Sequence, residues 1–316
     1  MSWSYLKHSQ LEELKDFIEL REYSCMNFST IFRNKFFDEI KEFSQNSTDS
    51  NILKEKYSGE REKEKNASDI IIHKNWVNNS IDFSIMFSEN GQLLPICRDN
   101  ITSKIINLNK GLEIFGNSLS KVNTIMGDKK SVNSILKTCF SDKIVSEGVN
   151  SFTYYTMTLD EKNFKPCNFC PQEIKIRLGT QKDIENLFPL QKNYEIEEVL
   201  PNSEMFNEAI SRKHLSMILK SQITVVAEKS GKIVAKANTN GKGFTCYQIG
   251  GVYTLPEYRN MGISTALVSY LIEDVFSRGT KASLFVKTNN HAALKVYTNL
   301  GFSKNEEFQI TYFLYQ

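Results

Sequence analysis

The chain lacks the features that would place it in a specialised class. No stretch of its 316 residues approaches the ~18 consecutive apolar residues of a membrane-crossing helix. Neither sign of charge dominates: 39 Lys and Arg stand against 37 Asp and Glu, a formal net charge of +2. That balance makes no electrostatic case for nucleic acid or an anionic membrane surface as partner, and leaves room only for a local basic groove. The six cysteines, Cys25, Cys97, Cys139, Cys167, Cys170 and Cys246, have no disulfide-framework spacing and read as reduced thiols of a cytoplasmic protein. Cys167 and Cys170 have the spacing of half a zinc site, but zinc takes four ligands and no second cysteine or histidine pair follows. Pro166 and Pro171 flank the pair where a thioredoxin-like motif would open a helix after a strand. No metal is therefore expected. A P-loop with its Gly-Lys-Ser/Thr and a three-glycine Rossmann fingerprint are missing too. The opening "MSWSYLKHSQLEELKDFIEL" has neither an apolar core segment nor a small-residue cleavage site, and predicts the start of an amphipathic helix rather than a signal peptide.

What remains is an ordinary globular composition, 40% hydrophobic and 24% charged. At roughly 150 residues per domain, the length predicts two domains. Leu11, Leu14, Phe17, Ile18, Phe28, Ile31 and Phe32 recur at helical spacing between residues 8 and 47. The stretch from Leu53 to Asp69, "LKEKYSGEREKEKNASD", is nearly all charged and reads as a solvated loop. Asn90-Gly91 between two apolar runs predicts a hairpin. Residues 112–140 read as α-β-α, with Ser131 as N-cap of the last helix. These assignments give an N-terminal domain over 1–160 and, over 161–173, a linker with two prolines. Residues 174–316 then run β-α-α-β-β-β-α-β-α-β, an α/β order with a mixed sheet, including a hairpin at Ser230-Gly231.

The chemistry concentrates in "GGVYTLPEYRNMGISTALVSYLIEDVF", residues 250–276. It reads as strand, tight turn and helix, with Leu267, Tyr270, Leu271 and Val275 giving the helix a buried face. Free N–H groups and the positive end of the dipole make the first turn of such a helix an anion site. Gly262 lets the backbone approach an anion without a Cβ in the way. Arg259 adds charge, and Ser264 and Thr265 add hydroxyl donors. The plain alternative is a turn glycine beside an N-cap serine.

The wider pattern resembles the GNAT superfamily of acetyl-CoA-dependent N-acyltransferases. The family's Gln/Arg-x-x-Gly-x-Gly/Ala motif reads here Arg259-Asn260-Met261-Gly262-Ile263-Ser264, with serine as a departure at the last position. Downstream, Asn290, Ala293, Tyr297, Gly301 and Phe302 match the family's Asn-x-x-Ala-x-x-x-Tyr-x-x-x-Gly-Phe. The resemblance covers about residues 174–316. It implies a strand, Ile249 to Thr254, pried apart from the next, Ala282 to Thr288. Val252, Tyr253 and Thr254 would then bind the pantetheine arm, and Asn260, Met261, Gly262, Ile263, Ser264 and Thr265 the pyrophosphate. Asn290 would bond the cofactor arm, and Tyr297 would protonate the leaving thiolate. A Val252 N–H would meet the thioester oxygen.

The proton acceptor is the open position. Many relatives place a glutamate on the central strand, where this chain has Gln248. Glu197 and Glu198 stand on the segment that lines the acceptor side in such folds, and Glu198 is taken as the candidate; each also reads as a solvated helical carboxylate. His214 and His291 are lone histidines, His291 reading as a surface residue on the loop beside Asn290, and direct transfer needs no acyl-carrying Cys246. The N-terminal half faintly resembles the degenerate halves of tandem members and reads as a noncatalytic lobe that shapes the acceptor site or a homodimer. The expectation is an N-acetyltransferase acting on a primary amine: a small molecule, a peptide N-terminus or a lysine. Its rivals are a noncatalytic CoA-binding scaffold and a tRNA-dependent aminoacyl transferase of the tandem type.

Overall fold

The computed structural model describes residues 3–38, 67–74, 79–98, 107–169, 171–200 and 202–314. The charged stretch from Leu53 lies outside the described residues up to residue 66, as does Cys170. The chain divides into two units, Met1–Thr153 with Glu307–Gln316, and Tyr154–Glu306.

In the first unit the order is β1 (Trp3–Leu6), α1 (Leu11–Glu19), α2 (Met26–Arg33), β2 (Ala67–Lys74), β3 (Ile81–Phe87), β4 (Gln92–Cys97), α3 (Leu108–Leu112), β5 (Thr124–Asp128), α4 (Lys129–Cys139) and α5 (Ser141–Glu147). Strand β6 (Val149–Leu159) carries the chain into the second unit. That unit continues with β7 (Ile174–Leu178), α6 (Ile184–Tyr194), α7 (Glu208–Ser221), β8 (Thr224–Lys229), β9 (Lys232–Lys242), β10 (Cys246–Thr254), α8 (Ile263–Ser277), β11 (Lys281–Lys287) and α9 (His291–Asn299). Strand β12 (Ser303–Phe313) returns the chain to the first unit.

Each unit has a mixed sheet of one pattern. In the first, β1, β2, β3 and β4 run antiparallel in turn, β4 and β5 are parallel, and β12 is antiparallel to β5. In the second, β7, β8, β9 and β10 run antiparallel, β10 and β11 are parallel, and β6 is antiparallel to β11. Among the described residues and up to the parallel pair, each half also runs β-α-α-β-β-β-α-β.

The hairpin strands β3 and β4 flank Asn90-Gly91, and β8 and β9 flank Ser230-Gly231, where the sequence places them. Some local expectations need correction. Tyr270, read as part of the buried face of α8, is exposed, and residues 67–69, read as part of a solvated loop, open β2. Residues 3–6 form a strand paired to β2, Tyr5 opposite Ile71, and the amphipathic helix starts only at Leu11. Asp128, not Ser131, caps α4: its carboxylate accepts from the Ser131 N–H at 2.9 Å, which puts Ser131 inside the first turn. A carboxylate at the positive end of the helix suits the dipole as well as the hydrogen bond.

Both faces of the second unit's sheet are covered. Leu267, Val268, Leu271, Ile272 and Val275 of α8 pack with Val225, Ala227, Ala235, Ala237, Ile249 and Leu284. Leu187, Phe188 and Leu190 of α6 and Leu215 of α7 pack on the other face with Val226, Ile233 and Tyr253. The start of α6 is pinned by charge. Arg177 grips both oxygens of Asp183 at 2.8 and 3.0 Å, and Asp183 also accepts from the Thr180 N–H at 2.8 Å. The Arg177 guanidinium, above all, lowers the Asp183 carboxyl to about 2. A carboxyl depressed in the folded state stabilises above its ordinary value, and that stabilisation is lost as pH falls through about 2. Asp183→Asn is therefore expected to lose about 1–2 kcal/mol at pH 7, with the gap to wild type closing towards pH 2 in urea denaturation.

Candidate active site

The ladder between β10 and β11 stops short of both strand ends. It joins Cys246 to Lys281 through Ile249 to Leu284, while β10 continues to Thr254 and β11 to Lys287. Beyond Ile249 each strand follows its outer neighbour: Tyr253 and Thr254 pair with Lys236 and Ala235 of β9, and Phe285 to Lys287 pair with β6. The two strands thus splay at the C-terminal end of the parallel pair. The Thr254 hydroxyl is buried there without a hydrogen-bond partner.

A bulge sets the path of β10. Gly250 lies opposite Asn238 and Tyr253 opposite Lys236, so β10 carries one residue more than β9 between these pairs. Gly251 takes φ +57, and a Cβ on it would run into the Asn238 side chain; a Cβ on Gly250 would run into that of Asn240. Both glycines are thus required by side chains crossing the strand from β9.

Beyond the splay, α8 begins at Gly262, which has φ +78. No side chain caps the helix; its first bond runs from the Ala266 N–H to the Gly262 oxygen at 3.1 Å. Asn260 and Met261 are exposed on the approach, Ile263 is buried, and Ser264 and Thr265 are half-buried. The first-turn N–H groups are therefore left without a side-chain cap, the condition in which a helix start can meet an anion. Arg259 does not aim freely at that turn. Its Nη2 pairs with Glu197 at 2.9 Å and its Nε donates to the Thr254 oxygen at 3.0 Å.

On the α6 side the helix ends in a π-turn, with the Leu200 N–H on the Glu195 oxygen at 2.8 Å. The turn directs its carboxylates to different partners. Glu195 accepts from Gln191 at 2.7 Å and lies 3.5 Å from His214. Burial works against its charge, but His214 and Gln191 outweigh burial and hold it below the usual range. Glu197 accepts from the Tyr253 hydroxyl at 2.6 Å as well as from Arg259. Glu198 lies 3.4 Å from Lys287 at the end of β11.

Tyr297 is buried in α9, its ring edge-on to Phe302. Burial, with Tyr194 and Glu198 nearby, raises its hydroxyl well above the ordinary value, so it stays protonated. Asn290 spends its side-chain oxygen capping α9, accepting from the Ala293 N–H at 3.0 Å. His291 is exposed, and Gln248 is buried within the paired part of β10.

Tyr297, Glu198, the splayed end of β10 and the start of α8 thus belong to one unit. Sequence reasoning missed Lys236, Asn238 and Tyr194, which surround the bulge. Lys236 is 1% exposed and donates to Asn238 Oδ1 at 3.0 Å and the Gly251 oxygen at 2.9 Å. Burial lowers its amine to about 7. The signal available was the row Lys236, Asn238, Asn240, polar at every second place, with Ala235 and Ala237 on either side of Lys236.

Residues 187–302 match the family model described as Acetyltransferase (GNAT) family. A Drosophila protein of solved structure is similar with a TM-score of 0.62 at 12% identity, over 98% of both chains. A GCN5-related N-acetyltransferase from Sphaerobacter thermophilus is similar with a TM-score of 0.57 at 12% identity, over 99% of this chain and 96% of its own. An acetyltransferase from the GNAT family of Colwellia psychrerythraea reaches 0.50 at 12% identity, over 99% of this chain and 100% of its own. At such identity the likeness shows the fold alone. No curated protein matches the chain by sequence.

The bulge can be tested by comparing two glycines. Gly279 has φ +68 but open space where a Cβ would be, whereas Gly251 has φ +57 and the Asn238 side chain in that place. Gly279→Ala is expected to cost about 1 kcal/mol for the left-handed backbone alone. Gly251→Ala is expected to cost at least about 2 kcal/mol, since strain and overlap add. Urea denaturation of the two variants checks the difference.

Proposed function

We propose that the chain, whose residues 187–302 match the GNAT acetyltransferase family model, moves an acetyl group from acetyl-CoA to a primary amine by direct attack. The observation that carries this reading is the splay of β10 from β11 beyond Ile249 and Leu284, beside the uncapped start of α8. An amide-bearing arm and a pyrophosphate need a strand edge and an anion cradle, and this unit presents both.

The residues present fit the cosubstrate. The unpartnered Thr254 hydroxyl is a buried polar atom at the splayed edge. At Gly262 a Cβ would stand within 3.3 Å of the Phe169 ring, so the cradle has little room for a side chain. In the proposal the backbone of Val252, Tyr253 and Thr254 holds the pantetheine arm. The first-turn N–H groups, from Asn260 through Met261, Gly262, Ile263, Ser264 and Thr265, hold the pyrophosphate. Arg259 contributes through its side of the Glu197 pair, and Asn290 through the amide nitrogen that its cap leaves over. Acetyl-CoA, when bound, supplies an activated acyl thioester.

The chain's own groups then do three things. Holding two reactants in register supplies much of the rate. The Val252 N–H, beside the bulge, meets the acyl oxygen as it gains charge. Tyr297, kept protonated by burial, gives its proton to the leaving sulfur. Glu198, the candidate proton acceptor by sequence, stands near Tyr194 and Tyr297 and is paired with Lys287 at 3.4 Å. The acceptor is a small amine, a peptide N-terminus or a lysine. The repeated strand order supports reading the first unit as a second, noncatalytic GNAT-like lobe.

Calorimetric titration of acetyl-CoA tests the site. Wild type is expected to bind at micromolar concentration. Gly262→Glu, which places a like charge in the cradle, is expected to abolish binding. Tyr297→Phe is expected to keep acetyl-CoA affinity and to lower kcat by about 10²–10⁴ in thiol release. Absence of binding by wild type would overturn the transferase reading.

A further inference from the structure

We propose that Lys236, acting as a neutral amine, is the group that takes the proton from the acceptor amine. The inference rests on the acetyl-transfer reading above and names a base where the central strand carries Gln248 instead of a carboxylate.

The geometry starts from strand alternation. Lys236 lies opposite Tyr253 on β10 and Val226 on β8, both packed on the α6 and α7 face, while its neighbours Ala235 and Ala237 pack with α8. Its amine therefore emerges among α6, the π-turn and the bulge. There it meets two acceptors, Asn238 Oδ1 at 3.0 Å and the Gly251 oxygen at 2.9 Å. Asn238 can offer only its oxygen: its amide nitrogen already donates to the Thr239 oxygen at 3.0 Å and to Asn240 Oδ1 at 2.9 Å. A neutral amine has two N–H bonds and one lone pair. Two fixed acceptors use the two N–H bonds and leave the lone pair available.

The surroundings favour the neutral form. The charged and titratable groups around the amine are Tyr194, whose ring centre is 5.0 Å away, Tyr253 opposite it on β10, and Glu195. Farther out stand Glu197 and Arg259, paired with each other beside Tyr253, and Glu198, paired with Lys287. Glu195 is the carboxylate that acts on Lys236, and its charge is shared with Gln191 and His214. No carboxylate among the described residues forms an ion pair with Lys236, so burial decides and brings the amine to about 7.

The position also suits the chemistry. The Gly251 carbonyl that Lys236 touches is one residue before Val252, the N–H proposed for the acyl oxygen. The Tyr194 ring centre lies 5.0 Å from the Lys236 amine, and Tyr194 also acts on the Tyr297 hydroxyl. From Lys236 the polar row runs through buried Asn238 to exposed Asn240. In the step itself, the acceptor nitrogen bonds to the acyl carbon and gives its proton to Lys236 Nζ. The carbon–sulfur bond breaks with its electron pair on sulfur, which takes a proton from Tyr297. The proton gained by Lys236 and the one lost by Tyr297 balance, so the net change moves one proton from nitrogen to sulfur.

The alternative role for Lys236 is that of a donor which holds the Gly251 carbonyl. Three variants of the full chain separate the two. Lys236→Met removes amine and charge, Lys236→Gln keeps a donor, and Lys236→Arg keeps donor and charge but cannot accept a proton at neutral pH. The first readout needs no substrate. A lysine neutralised by folding makes the wild type lose stability below pH ~10 relative to an apolar variant. Lys236→Met is therefore expected to unfold at higher urea than wild type at pH 7, with the difference shrinking towards pH 10. A difference that does not change between pH 7 and pH 10 would overturn the neutral amine.

The second readout is thiol release from acetyl-CoA with phenethylamine, an alanine-initiated tetrapeptide and Nα-acetyl-lysine as acceptors, using whichever gives the fastest turnover. Lys236→Arg and Lys236→Gln are expected to lose about 10²–10⁴ in kcat/KM. They should also lose the wild-type rise near pH 7, while acetyl-CoA affinity by calorimetry stays within about twofold. Rates near wild type for Lys236→Arg would assign the residue a donor role and overturn the proposal. If wild type binds acetyl-CoA and none of the acceptors is acetylated, the proton-acceptor role falls, whatever the stability profile. Failure of wild type to bind acetyl-CoA would instead count against the transferase reading, and the pH dependence of stability would still decide the amine's charge.

Discussion

The bulge at Gly250–Val252 is the constraint from which the rest of the second unit follows. One extra residue on β10 turns the strand away from its parallel neighbour after Ile249, and the sheet opens there. The opening survives because each strand keeps a partner on its outer side, so little backbone pairing is lost. Gly251 makes the turn with a left-handed backbone that a side chain would oppose, and Asn238 fills the space where a Cβ would stand. The Lys236 amine holds the Gly251 oxygen, and the Tyr194 ring centre lies 5.0 Å from that amine. Geometry and chemistry share these atoms.

That sharing has an energetic cost. An apolar side chain at position 236 would suit a strand packed between helices, and the chain instead buries an amine. The cost is reduced by two hydrogen bonds, and burial brings the amine down to about 7. Carboxylates on the π-turn are arranged around it in a graded way. Glu195 is turned inward and tied to Gln191 and His214, Glu197 joins Tyr253 to Arg259, and Glu198 reaches Lys287 on the far side of the splay. A π-turn permits this because its extra residue per turn points successive side chains in directions that an α-helix would not.

Much of the second unit was legible in the sequence. Buried positions of α8 recur at helical spacing, Ser230-Gly231 marks its hairpin, and the Arg-x-x-Gly-x-Ser turn stands where strand becomes helix. These are local patterns, read within a single element. The misread positions depend on partners distant in sequence. Residues 3–6 are a strand because β2, more than sixty residues later, pairs with them. Strand β2 adjoins a run of charge that hides its apolar core, Ile70 to Ile72. Ser131 and Asp128 are both good caps by type, and the backbone at Asp128 settled which one serves.

By itself the sequence determined the element order of the second half and the glycines at its turns, because propensity and spacing act over a few residues; that no side chain caps α8 was decided by the structure. Only the tertiary structure decided what the polar groups do. Arg259 reads as a free cation and is paired with Glu197; Asn290 reads as a free amide and caps α9. Lys236 reads as one of many charged lysines, and folding surrounds it with a strand, a helix and a bulge that exclude water. Its charge is set by desolvation, a property of the assembled neighbourhood that no local sequence pattern specifies.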